Sequence, residues 1–359
     1  MTTTGTAVDT VRVTHAEERR LVLQLLDKLD VPALRAALQA EWLVEADLRG
    51  HASHGIQRLP VLVGRLKRGL IAAWAQPQMR WSAPTLGTLD GQHGLGPVVG
   101  CQALQAACDR ASQTGAAVVA IHNANHLGLL ALYVERIVAR HMIGIVVTTS
   151  EALVHPWGGK AAMLGTNPIA IAIPGRPNPF ILDMATGAVS RGKILALAHR
   201  DEPLSAGWAV DAHGRPAQMA RDAIDGAISP FGGAKGFGLG LAIELLVGTL
   251  TSTALGLGVT GTLDSKTLCN KGDVVICIDP STVADESVDH QVRDYLDAIR
   301  SAATAEGFQA VTVPGDRTRE RRARSLREGI ELPAQVWREA LDLLDQAYRS
   351  ELAESTLDA

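Results

Sequence analysis

Six short apolar runs in the middle of the chain constrain its fold more than any other feature. Residues 86–90, 116–121, 143–149, 169–173, 180–182 and 273–278 are each bounded by Gly, Pro, Asn or polar residues, as buried strands are. Helical periodicity separates several of them, over 101–113 and 129–140, and a Gly-rich helix begins near residue 235. Both ends are helical. Thr14-His15-Ala16-Glu17 fits a capping box ahead of Leu21, Val22, Leu25, Leu26 and Leu29, and a second helix runs from Pro32 to about Asp47. The tail is helical over 289–305 and 334–352. The pattern predicts a mixed α/β protein: a helical lobe over residues 1–80, a mixed α/β unit over 81–290, and C-terminal helices over 291–359 that return to the N-terminal lobe.

Composition narrows the function. In 359 residues, 47% apolar against 20% charged side chains describes a chain that buries a large core. A net charge of −4 and 4% aromatics argue against nucleic acid as a partner, so a substrate anion is met by a few placed cations. Four cysteines in a chain of this length read as unpaired thiols, which fits the cytoplasm, and no Cys-x-x-Cys supports a metal site. The first twenty residues lack the apolar core of a leader. The apolar stretch 236–261 contains Glu244 and seven glycines, so it reads as a buried helix and loop, with no membrane partner.

Several segments hold groups that do chemistry. Gly94-Leu95-Gly96-Pro97-Val98-Val99-Gly100 has the setting of a dinucleotide loop but the wrong spacing, and reads as a helix-entry turn. Ser53-His54-Gly55 lies between Arg49 and Arg58: an imidazole with a hydroxyl to orient it and two guanidiniums to hold a carboxylate. His126 follows an apolar strand, where α/β proteins collect ligands. Each histidine also reads as a structural residue, and spacing alone leaves both readings open. Thr148-Thr149-Ser150 and Asp183-Met184-Ala185-Thr186 end strands in polar groups, and Gly233-Ala234-Lys235-Gly236 opens a helix with a lysine suited to a phosphate. Arg317, Arg319, Arg321, Arg322, Arg324 and Arg327 read as a solvated helix face by default; the functional alternative is that one or two of them meet a cofactor phosphate.

Together these segments resemble the malate/L-lactate dehydrogenase family of NAD(P)-dependent oxidoreductases with a non-Rossmann fold. That family includes sulfolactate, ureidoglycolate and diketogulonate dehydrogenases or reductases, and cyclic-ketimine reductases. The resemblance rests on Ala46-Asp47-Leu48-Arg49-Gly50-His51-Ala52-Ser53-His54-Gly55, Asn125-His126-Leu127-Gly128, His155-Pro156-Trp157-Gly158-Gly159 and Leu164-Gly165-Thr166-Asn167-Pro168. It continues through Leu182-Asp183-Met184-Ala185-Thr186, Gly207-Trp208-Ala209-Val210-Asp211 and Lys235-Gly236-Phe237-Gly238-Leu239, collinear from about residue 12 to 350.

The resemblance implies hydride transfer between NAD or NADP and a small anionic 2-hydroxy/2-oxo acid, by a homodimer whose active site lies near the subunit interface. It implies His54 as proton donor beside Ser53, and His126 where cofactor and substrate meet. Ser150, Asp183, Met184, Ala185 and Lys235 match cofactor contacts, and Gly315-Asp316-Arg317 matches the late cofactor loop. Arg49 or Arg58 then anchors the substrate carboxylate. Two departures stand out: Gly187 replaces a usual Ser, and Pro216-Ala217-Gln218-Met219 replaces a Thr-Thr-Asp-Pro-like run. Lys193 lies where the ketimine-reducing branch tends to place an acid. A lysine there polarises a carbonyl, which favours 2-oxo acids over the alternative, cyclic ketimino acids of the piperideine- and pyrroline-2-carboxylate type.

Overall fold

A computed structural model describes residues 9–283 and 288–357; residues 1–8, part of the stretch read above for a leader, lie outside them. β1 (Thr10–Val13) leads into α1 (His15–Asp27). The capping box forms as the sequence suggests: the Glu17 N–H donates to Thr14 Oγ1 at 3.2 Å, and the Thr14 N–H donates to Glu17 Oε2 at 2.8 Å. α2 (Ala33–Leu48) starts after Pro32. Two 3-10 turns, Ala52–His54 and Ile56–Arg58, separate it from α3 (Leu59–Lys67).

Alternating elements follow: β2 (Gln78–Trp81), β3 (Leu86–Gly94), α4 (Gly96–Thr114), β4 (Ala116–Ala124), α5 (Ala131–Val138), β5 (Ile143–Thr148), β6 (Ile169–Ile173) and β7 (Phe180–Met184). A smaller unit holds α6 (Arg191–Ala198) and the two-residue strands β8 (Ala209–Val210) and β9 (Ala227–Ile228). Then come α7 (Ala234–Thr251), β10 (Asp273–Ile278), α8 (Val288–Arg300), α9 (Asp316–Glu328), β11 (Ile330–Pro333) and α10 (Ala334–Leu357).

The main sheet has the order β2-β3-β4-β10-β5-β6-β7, with β3 and β4 parallel and every other neighbouring pair antiparallel. β10 enters from far along the chain to sit between β4 and β5, so that Val275 pairs with both Val119 and Val146. This register sets the site. β4 and β5, each antiparallel to β10, run the same way and finish at one end of the sheet, where β10 begins. The β5–β6–β7 antiparallel run brings Ile169 and Met184 to that same end, and Gly94 pairs there with Ala124. Segments around residues 94, 125, 149, 167, 185 and 272 therefore converge.

The alternating strand faces bury two different covers. α4 and α5 close one face with Leu104, Val134 and Ile137 against Val119, Ile121, Val146 and Val275. α7 closes the other, with Ile243 and Val247 on Val147 and Val274. β1 pairs antiparallel with β11, and this pairing brings α10 onto α1 and α3 in a separate apolar cluster that includes Val22, Leu25, Leu26, Leu43 and Leu59. A third cluster, around Val154, Ile194 and Ala220, belongs to the small unit.

The expectation of a fully buried helix after residue 235 is corrected. α7 is long and apolar enough to cross a membrane, yet it packs on the sheet through Gly240, Ile243, Val247 and Gly248. Its other side exposes Leu239, Leu241, Leu245, Leu246 and Leu250, because apolar residues occupy both helical faces and the described residues supply only one layer to cover them.

Leu25, fully buried in the terminal cluster, tests how far the two chain ends depend on each other. Leu25→Ala is expected to lower the unfolding free energy by about 2–5 kcal/mol in urea titrations, with an unchanged denaturant slope.

Candidate active site

His54 and His126 meet at the converged end of the sheet. The first sits on the turn Ala52–His54, the second just beyond β4, and their ring centroids are 5.3 Å apart. Arg58, on the next turn, lines the same chamber with Trp42, Leu62, Asn125 and Thr262. Gly96 is required here: a Cβ at that position would lie 1.9 Å from the His126 carbonyl oxygen. The sequence Gly94–Gly100 is thus a strand end and helix entry whose glycine admits the neighbouring segment. The enclosed space is about 40 Å³, room for water, so an organic acid enters only as the wall moves.

Burial governs the charges. It pushes the His54 imidazole down to about 3, with Arg58 and then His51 adding repulsion. His126 is held well below the ordinary histidine range, again by burial first and then by Arg58, His54 and Lys271. Burial also lowers Arg58, to about 10, partly offset by Glu151. Both imidazoles are therefore neutral beside two guanidiniums of the wall, half-buried Arg58 and buried Arg65. Ser53 Oγ lies 3.0 Å from His54 Nδ1, a contact that a hydroxyl keeps as donor or acceptor. The Gly128 N–H donates to His126 Nδ1 at 3.1 Å, so the neutral ring carries its proton on Nε2.

Arg58 Nη2 donates to the Thr262 carbonyl at 2.6 Å. Arg65 is buried beside the chamber and holds Asn125, donating to its Oδ1 from Nε and Nη2 at 3.1 and 2.9 Å. Asn125 Nδ2 in turn donates to the His93 and Gly94 carbonyls at 2.7 and 3.0 Å. Sequence reasoning missed Arg65. The available signal was a lone guanidinium among the apolar residues of α3.

A second cavity, of about 380 Å³, lies on the other side of the Arg49–Arg58 segment, with Arg49 and His51 in its wall. Asp183, the 313–315 backbone, Arg317 and Arg322 also line it. Asp183 Oδ2 accepts from the Ala131 N–H at 2.7 Å, and burial pushes this carboxyl up to about 7. Guanidiniums beside a carboxyl and the left-handed Gly315 turn at the start of α9 make a donor set that fits a nucleotide: cations for phosphates, a carboxyl for a ribose hydroxyl.

Other expected residues lie apart. Arg49 is not a free carboxylate anchor: it donates to both Glu135 oxygens at 2.5 and 2.8 Å and pairs with Glu45, so its fork is already filled. Lys193 is exposed and stacks its ammonium 4.7 Å from the Trp208 ring centroid, outside both cavity walls. Only its neighbour Gly192 approaches Ser53. Asp316 caps no sugar: Arg300 and Arg319 take its oxygens. Ser150 accepts from the Thr166 N–H at 3.0 Å, and the 184–186 strand exit reaches the start of α7 through Thr186. Met184, Ala185 and Lys235 belong to this neighbouring region rather than to either cavity.

A model described as malate/L-lactate dehydrogenase matches residues 13–340. The chain belongs to the malate/L-lactate dehydrogenase family. A malate/(S)-sulfolactate dehydrogenase from Methanothermus fervidus is 37% identical over 335 residues, 93% of this chain and 97% of that protein. The crystal structure of a dehydrogenase from Sinorhizobium meliloti superposes with a TM-score of 0.90 at 46% identity, covering 94% of this chain and 99% of that one. A Δ(1)-pyrroline-2-carboxylate/Δ(1)-piperideine-2-carboxylate reductase from Pseudomonas aeruginosa is 32% identical over 343 residues, 93% of this chain and all of that protein. The mixed sheet is thus the family's fold.

Asp183 gives a pH test of this family member. A carboxyl raised in the folded state binds its proton more tightly there than in the unfolded chain, so its contribution to stability is present in acid and lost as pH rises from about 4 through about 7. Asp183→Asn keeps an oxygen for the Ala131 N–H and removes the titration. Urea titrations across this range should show wild-type stability falling relative to Asp183→Asn by on the order of 1–3 kcal/mol.

Proposed function

We propose that this protein is a dehydrogenase that interconverts small anionic 2-hydroxy and 2-oxo acids of the malate or sulfolactate kind, with NAD or NADP. The observation that carries the reading is the chamber itself: two neutral imidazoles beside the guanidiniums of Arg58 and Arg65, with no carboxylate among the described residues of its wall. Such a site attracts a carboxylate and offers nothing to a protonated imine. Bound nicotinamide supplies or removes the hydride at the substrate carbon. Arg317, Asp183 and the Gly315 turn line the cavity that suits its phosphates and ribose, beside Arg322, which is held by Glu45.

The roles of the side chains follow from their charges. Arg58 binds the substrate carboxylate and fixes its orientation. In oxidation, neutral His54 accepts the hydroxyl proton at once. In reduction it must first gain a proton, and the arriving carboxylate favours this by bringing a negative charge beside the imidazole and offsetting Arg58, against the burial that is the main cause of the low proton affinity. Ser53 keeps the ring oriented in both states, and His126 offers Nε2–H to the substrate oxygen.

The leucine face of α7 supports a homodimer: Trp157 lies against Gly233 at its start and Met163 against Gly256 beyond its end, and both side chains are exposed, extending the apolar surface. Among the described residues the four thiols are free, which suits the cytoplasm. The function needs neither a membrane nor nucleic acid.

His54→Ala is expected to lower kcat by about 100-fold or more while leaving the cofactor Kd unchanged; retention of over about a tenth of the rate removes His54 from the role. The wild type should oxidise NADH or NADPH with oxaloacetate, sulfopyruvate or pyruvate, and consumption with a cyclic ketimine alone assigns it to the imine-reducing branch. Leu245→Glu with Leu246→Glu should convert a dimer to a monomer in light scattering, and a wild-type monomer contradicts the assembly.

A further inference from the structure

The helix that ends at Asp47 and the turn that carries His54 are joined by a pair of buried acids. Glu18, on α1, is 0% exposed, and Asp47, at the end of α2, is 5% exposed. Asp47 Oδ2 accepts the Ile56 N–H at 2.7 Å, two residues beyond His54. The intervening Gly55 packs so closely that a Cβ there would sit 2.0 Å from the Asp47 carboxyl carbon and both oxygens. The His54 turn is therefore held from behind by one carboxyl.

Glu18 has no such donor. Neither of its oxygens meets an N–H or hydroxyl group of the protein, and its one charged neighbour among the described residues is Asp47. Two carboxylates only accept, so they cannot satisfy each other; a single proton between them gives one donor and one acceptor. Burial without a cation makes the doubly ionised pair untenable.

Resting on the reading of His54 as the proton-transferring group, we propose that Glu18 and Asp47 share one proton and act together as positioning residues for the His54 turn. The proton sits on Glu18, because the Ile56 N–H stabilises charge on Asp47 while nothing does so on Glu18. Burial and mutual repulsion raise Glu18 to about 10, above Asp47, in the same order. Glu18 thus orients Asp47, Asp47 fixes Ile56 and Gly55, and these set the imidazole beside His126. Neither acid lines the chamber.

Infrared spectroscopy and turnover test the pair separately. At neutral pH the wild type should show the C=O stretch of a buried, protonated carboxyl that Glu18→Gln abolishes, a readout independent of activity. Glu18→Ala should lower kcat by about tenfold or more, with substrate KM and cofactor Kd within about threefold. Glu18→Gln, whose amide donates permanently to Asp47, should restore it. Asp47→Ala should behave as Glu18→Ala and expose the Ile56 amide to hydrogen exchange. If that variant fails to fold, Asp47→Asn replaces it: the asparagine oxygen accepts from both Ile56 and the Glu18 carboxyl proton, which burial keeps in place, so both the rate and the acid band are kept. Absence of the band, or equal rates for Glu18→Ala and Glu18→Gln, overturns the proposal. Should His54→Ala retain its rate, the reading of the active site falls, while the band and the Ile56 exchange still decide the pair.

Discussion

A guanidinium and two imidazoles buried together cannot all carry charge, and the candidate active site is organised around that restriction. Arg58 keeps its proton because its intrinsic affinity is high; His54 and His126 give theirs up. The result is a small cationic chamber holding two neutral imidazoles. In the proposed reaction an anionic guest offsets the positive charge and favours a proton on His54, which links substrate binding to proton transfer.

The fold supplies the restriction by register rather than by any single motif. β10 threads between β4 and β5 and forces their ends to coincide. The pairing of β1 with β11 clamps the terminal helices into one cluster, whose α2 and α3 bracket the turn bearing Ser53 and His54. That turn is also a partition, with Arg49 and His51 facing the larger cavity and His54 and Arg58 the smaller. A nucleotide on one side and an acid on the other would be separated by a single short segment, anchored through Asp47.

Much of this was legible in the chain. The apolar runs located six of the seven main-sheet strands, and the capping box placed the first helix, because both signals are local. Ser53, His54 and Arg58 stood out because hydroxyl, imidazole and guanidinium lie within six positions, and His126 because it follows an apolar strand. What sequence could not carry was competition for partners. Arg49 and Asp316 look free on paper, but Glu135, Glu45, Arg300 and Arg319 arrive from distant elements and take their charges. Lys193 lies against the Trp208 ring. Nothing in the local sequence marks Glu18; only the fold buries it beside Asp47.

Proton uptake on ligand binding tests the linkage most directly. Calorimetric titration of the NAD(P)H-loaded enzyme with an unreactive 2-oxo acid analogue such as oxamate, in buffers of different ionisation enthalpy, counts the protons taken up. A neutral His54 in the free chamber that becomes an acid beside the bound carboxylate predicts uptake of about one proton near pH 7. Binding heats that do not change with buffer would mean that His54 is already charged or never becomes so, and would contradict the account.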